Sequence, residues 1–371
     1  MKLDLSQHSL MLVQGLINPD SLTHYSESDW ELLIRLARRV KLLGRLTLLV
    51  KEHGLWNQVP PRIASQLTSG LVQVEKLQQL NRWELNRILW ALDEFNTSII
   101  ALKGIAYGLA EIPYATGRLS VDLDLLVPKA DLADIESLLT VKGWRHRTLS
   151  AYDERYYRVW SHEIPPLVHV ERETEVDIHH TLAPLTSRLK IDTRLLFEAA
   201  IPTKDKTIKL LSPVDMVIHC AVNLFQNNEI ANDLRDLLDL HDLLVFFSVQ
   251  DADFWLRLTD RANQLRLAQI MFYGLHFSQL IFKTPVPGKI CNRLRPRPGK
   301  LKLWIMHRLV PLALFPQHPD KPTLSASMAR FVLYLRSHLI RMPLYILLPH
   351  LIYKTMRMIR LKSGNNHSHP R

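Results

Sequence analysis

The chain has 371 residues, with 47 Lys+Arg against 36 Asp+Glu and a formal net charge of +11. A hydrophobic fraction of 47% and a charged fraction of 22% are ordinary for a globular protein and exclude collagen-like and wholly disordered chains. Two cysteines, Cys220 and Cys291, are too few for a disulfide scaffold or a thiolate metal site and favour a reducing compartment.

The N-terminal third is predicted to be helical. Ser28 and Glu31 have the spacing of a capping box, and apolar residues follow at helical intervals. The first residues lack the basic and apolar segments of a signal peptide, and no run of 18 apolar residues occurs. We therefore expect a cytoplasmic protein, with residues 1–95 forming a helical N-terminal region.

The pattern changes at residue 96 to a compact mixed α/β unit. Short apolar runs bounded by Gly or Pro predict strands, and longer periodic runs predict helices. Strands are expected at 98–102, 121–127, 157–164, 167–171 and 175–179, and helices at 105–112 and 130–142. We expect an α/β core over 96–205, a helical region packing on it over 206–283, and a basic helical region over 284–371.

Two aspartates within one predicted strand are the most informative feature. Side chains alternate across a strand, so Asp122 and Asp124 share the face opposite Leu123 and Leu125. Adjacent carboxylates repel each other unless a cation lies between them, and Mg²⁺ prefers such oxygen ligands. The alternative is an exposed strand with no metal.

A third carboxylate favours the metal interpretation. Asp177 lies in the similar strand Glu175–His179, and three carboxylates on neighbouring strands suit a two-metal phosphoryl-transfer site. Lys103 and Gly104 follow the first strand, where a glycine turn and a cation favour a bound phosphate. His179 follows Asp177 on the same face, either as a contact supporting the site or as a polar strand end.

The order of these elements resembles the DNA polymerase β-like nucleotidyltransferase superfamily, and more closely a bacterial family of uncharacterised nucleotidyltransferases. The similarity rests on the Leu-Lys-Gly turn, an Arg before Asp-x-Asp-Leu-Leu-Val, and the later Val-Asp-Ile-His strand, within roughly residues 95–245. It implies an α+β fold in which a mixed β-sheet with flanking helices lies between helical N- and C-terminal regions. The turn departs from the Gly-Ser or Gly-Gly of the wider superfamily.

The resemblance also implies roles for individual residues. Asp122, Asp124 and Asp177 would be catalytic and bind Mg²⁺ or Mn²⁺. Lys103, Gly104 and Arg118 would contact the phosphates of an NTP such as ATP, with Arg118 near the substrate or phosphate. The acceptor would be a hydroxyl on a small molecule, sugar, protein or RNA.

Two other functions explain part of the pattern. In a glycosyltransferase, Asp122 and Asp124 would hold a metal and a nucleotide-sugar, but Asp177 and the Lys-Gly turn would have no role. A non-catalytic nucleotide-binding protein would have no need of three carboxylates.

The positive charge is concentrated at the C-terminal end. Residues 284–371 contain sixteen Lys or Arg and one acid, Asp320, so the remainder is slightly acidic. Basic residues alternate with apolar ones over 330–362, as in a helix lying on a membrane surface. This region is expected to contact an anionic membrane surface, at the inner face of the membrane, or nucleic acid. A helical subdomain with a solvated basic face is the alternative.

Overall fold

The computed structural model describes residues 5–365 apart from 205, 207 and 228. Four helices precede the sheet: α1 (Gln7–Ile17), α2 (Glu27–Arg39), α3 (Leu43–Glu52) and α4 (Pro61–Ala91). Along α2, Trp30, Leu33, Ile34 and Ala37 are buried at helical spacing, so one face of this helix packs into the core. The 31-residue helix α4 contacts α2, α3 and the sheet.

The mixed unit follows in chain order. Its elements are β1 (Ile100–Ala101), α5 (Lys103–Leu109), β2 (Leu123–Leu126), α6 (Leu132–Val141), β3 (Trp144–His146), α7 (Ala151–Trp160), β4 (Leu167–His169), β5 (Glu175–His179), α8 (Arg194–Ala199), β6 (Ile201–Pro202) and β7 (Lys209–Leu210). Within the described ranges these strands form one sheet in the order β3-β4-β5-β2-β1-β7-β6. The central strands β2 and β5 are parallel, whereas β1 and β4 run antiparallel to their partners β2 and β5.

After the sheet, the described part of the chain is mostly helical. It contains α9 (Pro213–Val222), α10 (Leu234–Gln250), α11 (Phe254–Gln264), α12 (Ala268–Phe282), α13 (Lys300–Leu314), α14 (Leu324–Arg341) and α15 (Leu344–Asn365). Helices α9 to α12 pack on one another, and α13 packs on α14. A search of the described residues finds no helix that is both long and apolar enough to cross a membrane.

The observed architecture confirms the predicted fold class, which is α+β with a mixed sheet between helical flanks. The four-region division of the chain stays a prediction. Three local predictions were wrong. The N-terminal capping box joins Ser26 to Asp29 rather than Ser28 to Glu31. The strand predicted at 121–127 begins only at Leu123, and Val121, which precedes it, is 51% exposed.

The third error concerns the predicted strand at 157–164. The first half of that segment belongs to α7, which begins after an N-cap at Ser150 whose hydroxyl accepts from the Asp153 backbone N–H. The cap stabilises the first turn and so overrides the strand preference of the Tyr and Val residues that follow. The chain then leaves the helix and reaches the sheet at Glu163.

Candidate active site

The three predicted carboxylates lie together. Strands β2 and β5 pair in parallel with Asp124 opposite Asp177, and Asp122 immediately precedes β2. One carboxylate oxygen from each of the three lies within 4.8 Å of the others. Leu123 and Leu125 alternate with the aspartates and are fully buried, so the sheet's core packing sets the position of the acids.

Asp124 is the most deeply buried of the three. Its carboxylate contacts the ammonium of Lys103 and the imidazole of His179. Lys103 Nζ donates to Asp124 Oδ1 at 2.6 Å, and His179 Nε2 lies 2.9 Å from the same oxygen. Burial opposes ionisation of Asp124, but the ammonium of Lys103 and the hydrogen bond from His179 outweigh it and hold its pKa well below the usual range. Desolvation lowers the pKa of Lys103, but the carboxylates of Asp124 and Asp122 outweigh it and keep that pKa above its ordinary value.

Asp177 has the opposite environment. Burial, together with the nearby carboxylates of Glu163 and Asp124, raises the pKa of Asp177 to about 8. Its Oδ1 is buried and has no hydrogen-bond partner among the described residues. An unpartnered buried oxygen beside two further carboxylates is a donor set suited to a hard divalent cation, so the residues fit the metal that the sequence implies.

Gly104 is required by close packing at the start of α5. A Cβ at this position would lie 1.7 Å from Ser120 Oγ and 2.6 Å from Arg118 Nη1. The space that a side chain would occupy is therefore filled by Ser120 and Arg118. The preceding residue, Lys103, adopts a positive φ of 47°. The role of both residues in phosphate binding stays a prediction.

Arg118 lies in the wall of the site and is buried. Its Nε donates to Asp239 Oδ2 at 2.7 Å, and its Nη1 donates to Ser120 Oγ at 2.7 Å. Its guanidinium also lies 5.2 Å from the centre of the Tyr107 ring. These contacts tie the segment before β2 to α10.

A cleft of about 460 Å³ lies beside the aspartates. Its lining carries both signs of charge, with five cationic and four acidic side chains. The residues that line it are Lys41, Lys103, Arg118, Asp122, Asn223, Glu229, Ala231, Asp233, Arg235, Asp236 and Arg341. Cations facing a carboxylate cluster provide charge complementary to a phosphate chain that carries a divalent cation.

Sequence analysis did not identify several of these residues. Lys41, Arg235 and Arg341 are far apart in sequence and have no motif, so no sequence signal could have grouped them. The charged residues at the start of α10 would suit a solvated helix face, but Asp236 and Asp239 are both buried. Glu163 was missed because its segment was assigned to a strand, although the polar pair before Ile164-Pro165-Pro166 interrupts the apolar run.

Comparison with known proteins gives a family match. A family model described as an uncharacterised nucleotidyltransferase matches residues 26–283, which is more than half of the chain. No curated protein and no solved structure matches. The matched range includes all the predicted site residues and ends before α13.

Proposed function

Because the chain belongs to this uncharacterised nucleotidyltransferase family, we propose that it transfers a nucleoside monophosphate from an NTP to a hydroxyl acceptor. The observation that carries the proposal is the in-register pairing of Asp124 with Asp177, which brings three carboxylates within 4.8 Å of one another, beside a cleft lined by five cationic and four acidic side chains. Asp122, Asp124 and Asp177 would bind Mg²⁺ or Mn²⁺. When bound, the metal supplies charge neutralisation on the phosphates and lowers the pKa of the acceptor hydroxyl.

The protein's own groups have distinct parts in this reaction. Lys103 keeps Asp124 ionised, and Lys103, Arg118, Arg235 and Arg341 orient the triphosphate. The acceptor oxygen forms a bond to the α-phosphorus as the bond from that phosphorus to the pyrophosphate oxygen breaks. Asp177, the third carboxylate, would help to hold the metal and, once a bound cation keeps it ionised, accept the proton of the acceptor hydroxyl.

The acceptor and the location of the protein belong to the same proposal. The acceptor is a hydroxyl on a small molecule, sugar, protein or RNA. We place the reaction in the cytoplasm, where NTPs are available, with the basic C-terminal region on an anionic partner.

The proposal is tested with each α-³²P-labelled NTP, Mg²⁺ or Mn²⁺, and cell lysate, total RNA or the protein itself as acceptor. We expect metal-dependent labelling by the wild type, at least about 100-fold slower labelling by Asp177→Asn, and NTP binding largely retained in that variant. Asp134→Asn, at an exposed acid on α6, is the matched control and should label normally.

Other outcomes favour the competing functions. Metal-dependent release of sugar from a nucleotide-sugar, with no labelling by any NTP, would indicate a glycosyltransferase. Tight NTP binding with no transfer to any acceptor, equal in wild type and Asp177→Asn, would indicate a binding protein.

A further inference from the structure

A second group of possible metal ligands lies next to the aspartates but is separate from them. It consists of His162, Glu163 and His179, each with one ligand atom within 4.8 Å of the others. Glu163 Oε2 is 3.4 Å from His179 Nδ1 and 3.7 Å from His162 Nε2. Both separations are too long for good hydrogen bonds but are short enough for a shared cation.

The backbone holds these residues in fixed positions. Glu163 and His179 form an antiparallel bridge, and the His180 N–H donates to the His162 carbonyl at 2.9 Å. The Ile164 N–H donates to the Ile178 carbonyl at 3.1 Å. The side chains therefore project from a paired segment of sheet rather than from a free loop, and a ligand would find them already in place.

The hydrogen bond of His179 to Asp124 determines which ring nitrogen is free. An ionised carboxylate only accepts, so the proton of the 2.9 Å contact lies on His179 Nε2. In the neutral ring, Nδ1 then presents a lone pair to the Glu163 carboxylate, and these two groups repel unless a cation lies between them. Histidines that bind metals characteristically donate their other N–H to a carboxylate in this way.

The second histidine, His162, presents Nε2 to the same carboxylate, 3.7 Å from Glu163 Oε2. The other ring nitrogen, Nδ1, is buried and has no hydrogen-bond partner in the part of the chain that the structure describes. The His162 and His179 rings lie 5.2 Å apart, centre to centre. We infer that His162, Glu163 and His179 bind one divalent transition metal of the Zn²⁺ class. Two imidazoles and a carboxylate suit such a metal better than Mg²⁺ and leave a fourth position open.

This site would act on the aspartate cluster through one contact. A metal on His179 Nδ1 fixes the ring, and the ring's Nε2–H fixes Asp124. His179 is thus a positioning residue, and the inference does not depend on the proposed transfer reaction. A proton shared by His179 and Glu163 is the alternative explanation of the same geometry.

The test is titration of the metal-stripped full chain with Co²⁺, in buffer containing excess Mg²⁺ to occupy the aspartates. We expect one Co²⁺ per chain with visible d–d absorption, displaced by Zn²⁺. His162→Gln and Glu163→Gln should each weaken Co²⁺ binding by at least about tenfold. Asp122→Asn should retain Co²⁺ binding, even where it abolishes transfer. His24→Gln, at an exposed histidine, is the matched control.

Thermal unfolding of each variant distinguishes loss of the metal site from loss of the fold. Both His162→Gln and Glu163→Gln are measured, so that the conclusion does not depend on a single variant. Failure to bind one equivalent of Co²⁺ would overturn the inference in favour of the shared proton. So would Co²⁺ binding that is unaffected by both ligand variants or lost only in Asp122→Asn.

A different observation concerns the C-terminal helices. Along α14, large apolar side chains at 324, 328, 331, 335 and 339 are all exposed, by 38% to 84%. Their spacing places them on one face, while Ala326, Ala329 and Leu333 on the other face are buried. The helix therefore packs by its small residues and leaves its large apolar residues uncovered.

The neighbouring helices also carry exposed apolar side chains. Trp304 on α13 is 51% exposed, and Leu348 and Ile352 on α15 are 57% and 58% exposed. Contiguous exposed apolar surface marks an interaction site. The region that carries it also has sixteen Lys or Arg and one acid. Apolar side chains together with this positive charge match the acyl boundary and headgroups of an anionic bilayer, whereas the surface of a nucleic acid duplex is mainly phosphate and sugar.

We propose that α13, α14 and α15 dock this face on an anionic membrane surface. The test is co-sedimentation of the full chain with vesicles of phosphatidylcholine alone or with phosphatidylglycerol added. We expect binding only to the anionic vesicles, and release at high salt. Phe331→Asp and Leu335→Asp should each weaken binding by at least about tenfold. Val249→Asp, at an 83% exposed valine on α10, should not.

Equal binding to both kinds of vesicle would show that the membrane need not be anionic. No vesicle binding, or equal binding by the α14 variants and the wild type, would overturn all of it. Binding to total RNA in place of vesicles would identify nucleic acid as the partner.

Discussion

Lys103 carries the charge that stabilises the acidic cluster. Its ammonium lies 2.6 Å from Asp124, and both side chains are largely shielded from water. Removing one member of a buried ion pair leaves the other charged and unpaired, at a cost of about 3–5 kcal/mol. A divalent cation bound by the same aspartates would supply the missing positive charge.

We therefore expect Lys103→Met to lower the free energy of unfolding, measured by urea denaturation in EDTA, by about 3 kcal/mol. Millimolar Mg²⁺ should restore more stability to this variant than to the wild type, because a ligand that binds only the native state stabilises it. Lys76→Met, at an exposed lysine of α4, serves as control. No Mg²⁺ response in either protein would show that the cluster does not bind the ion, and an equal response in both would show that the ion does not replace the charge of Lys103.

Gly104 provides a prediction that depends on packing alone. Its hypothetical Cβ lies 1.7 Å from Ser120 Oγ, so Gly104→Ala should destabilise the protein by about 1–3 kcal/mol in urea denaturation. Ser120→Gly in the same chain should recover part of the loss, since it removes the nearest atoms. Gly288→Ala is the control, because no atom beyond its chain neighbours lies within 4 Å of its Cβ position. Equal effects at both glycines would contradict the packing explanation.

At the scale of secondary structure elements, the strands β2 and β5 could be predicted from the sequence, whereas the segment before β4 could not. The alternation of Leu123, Asp124 and Leu125, and of Val176, Asp177 and Ile178, predicts two half-buried strands because the period is local. Their pairing follows from the similar patterns and is observed. The segment before β4 was misassigned because a cap at Ser150, ten residues upstream of Trp160, determined its structure.

Helix α6 and strand β3 are joined by a pair whose strength depends on pH. His146 Nε2 lies 2.7 Å from Glu136 Oε1, and this hydrogen bond raises the pKa of His146. The His146 hydrogen bond, with help from Arg158, lowers the pKa of Glu136 to about 2. The raised His146 pKa contributes stability below pH 6.5 that is lost as pH rises through the folded-state pKa. The lowered Glu136 pKa contributes stability above pH 4.5 that is lost as pH falls toward 2.

The pair should therefore stabilise the protein most between about pH 4.5 and 6.5. We expect His146→Gln to lower the free energy of unfolding by about 1 kcal/mol at pH 6 and by less at pH 9, since the pair is partly exposed. Urea denaturation at the two pH values measures this difference. His53→Gln, at an exposed histidine, should show the same small effect at both. A larger loss of unfolding free energy at pH 9 than at pH 6 would contradict the expected pH dependence of the His146–Glu136 pair.

At the scale of the whole molecule, the cleft is assembled from segments that are distant in sequence. Lys41 follows α2, Arg118 precedes β2, Arg235 lies in α10, and Arg341 ends α14. The carboxylates could be predicted because they occupy two short motifs, whereas these cations come together only through helix packing. Arg341 also lies outside residues 26–283, so the C-terminal region contributes to a site that the family match does not fully cover.

Arg341 thus tests whether the C-terminal region takes part in substrate binding. A charge-assisted hydrogen bond to a phosphate is worth about 1.5–3 kcal/mol, so Arg341→Gln should raise the KM for the NTP by about tenfold or more. The kcat should change less, because the aspartates and Lys103 are unaltered. Arg308→Gln removes an exposed cation from α13 and is the matched control for net charge. Without membranes present, equal KM values for the two variants would mean that general charge, rather than the cleft, attracts the nucleotide. A KM increase confined to Arg341→Gln, and diminishing as ionic strength rises, would show that the end of α14 contacts the donor phosphates.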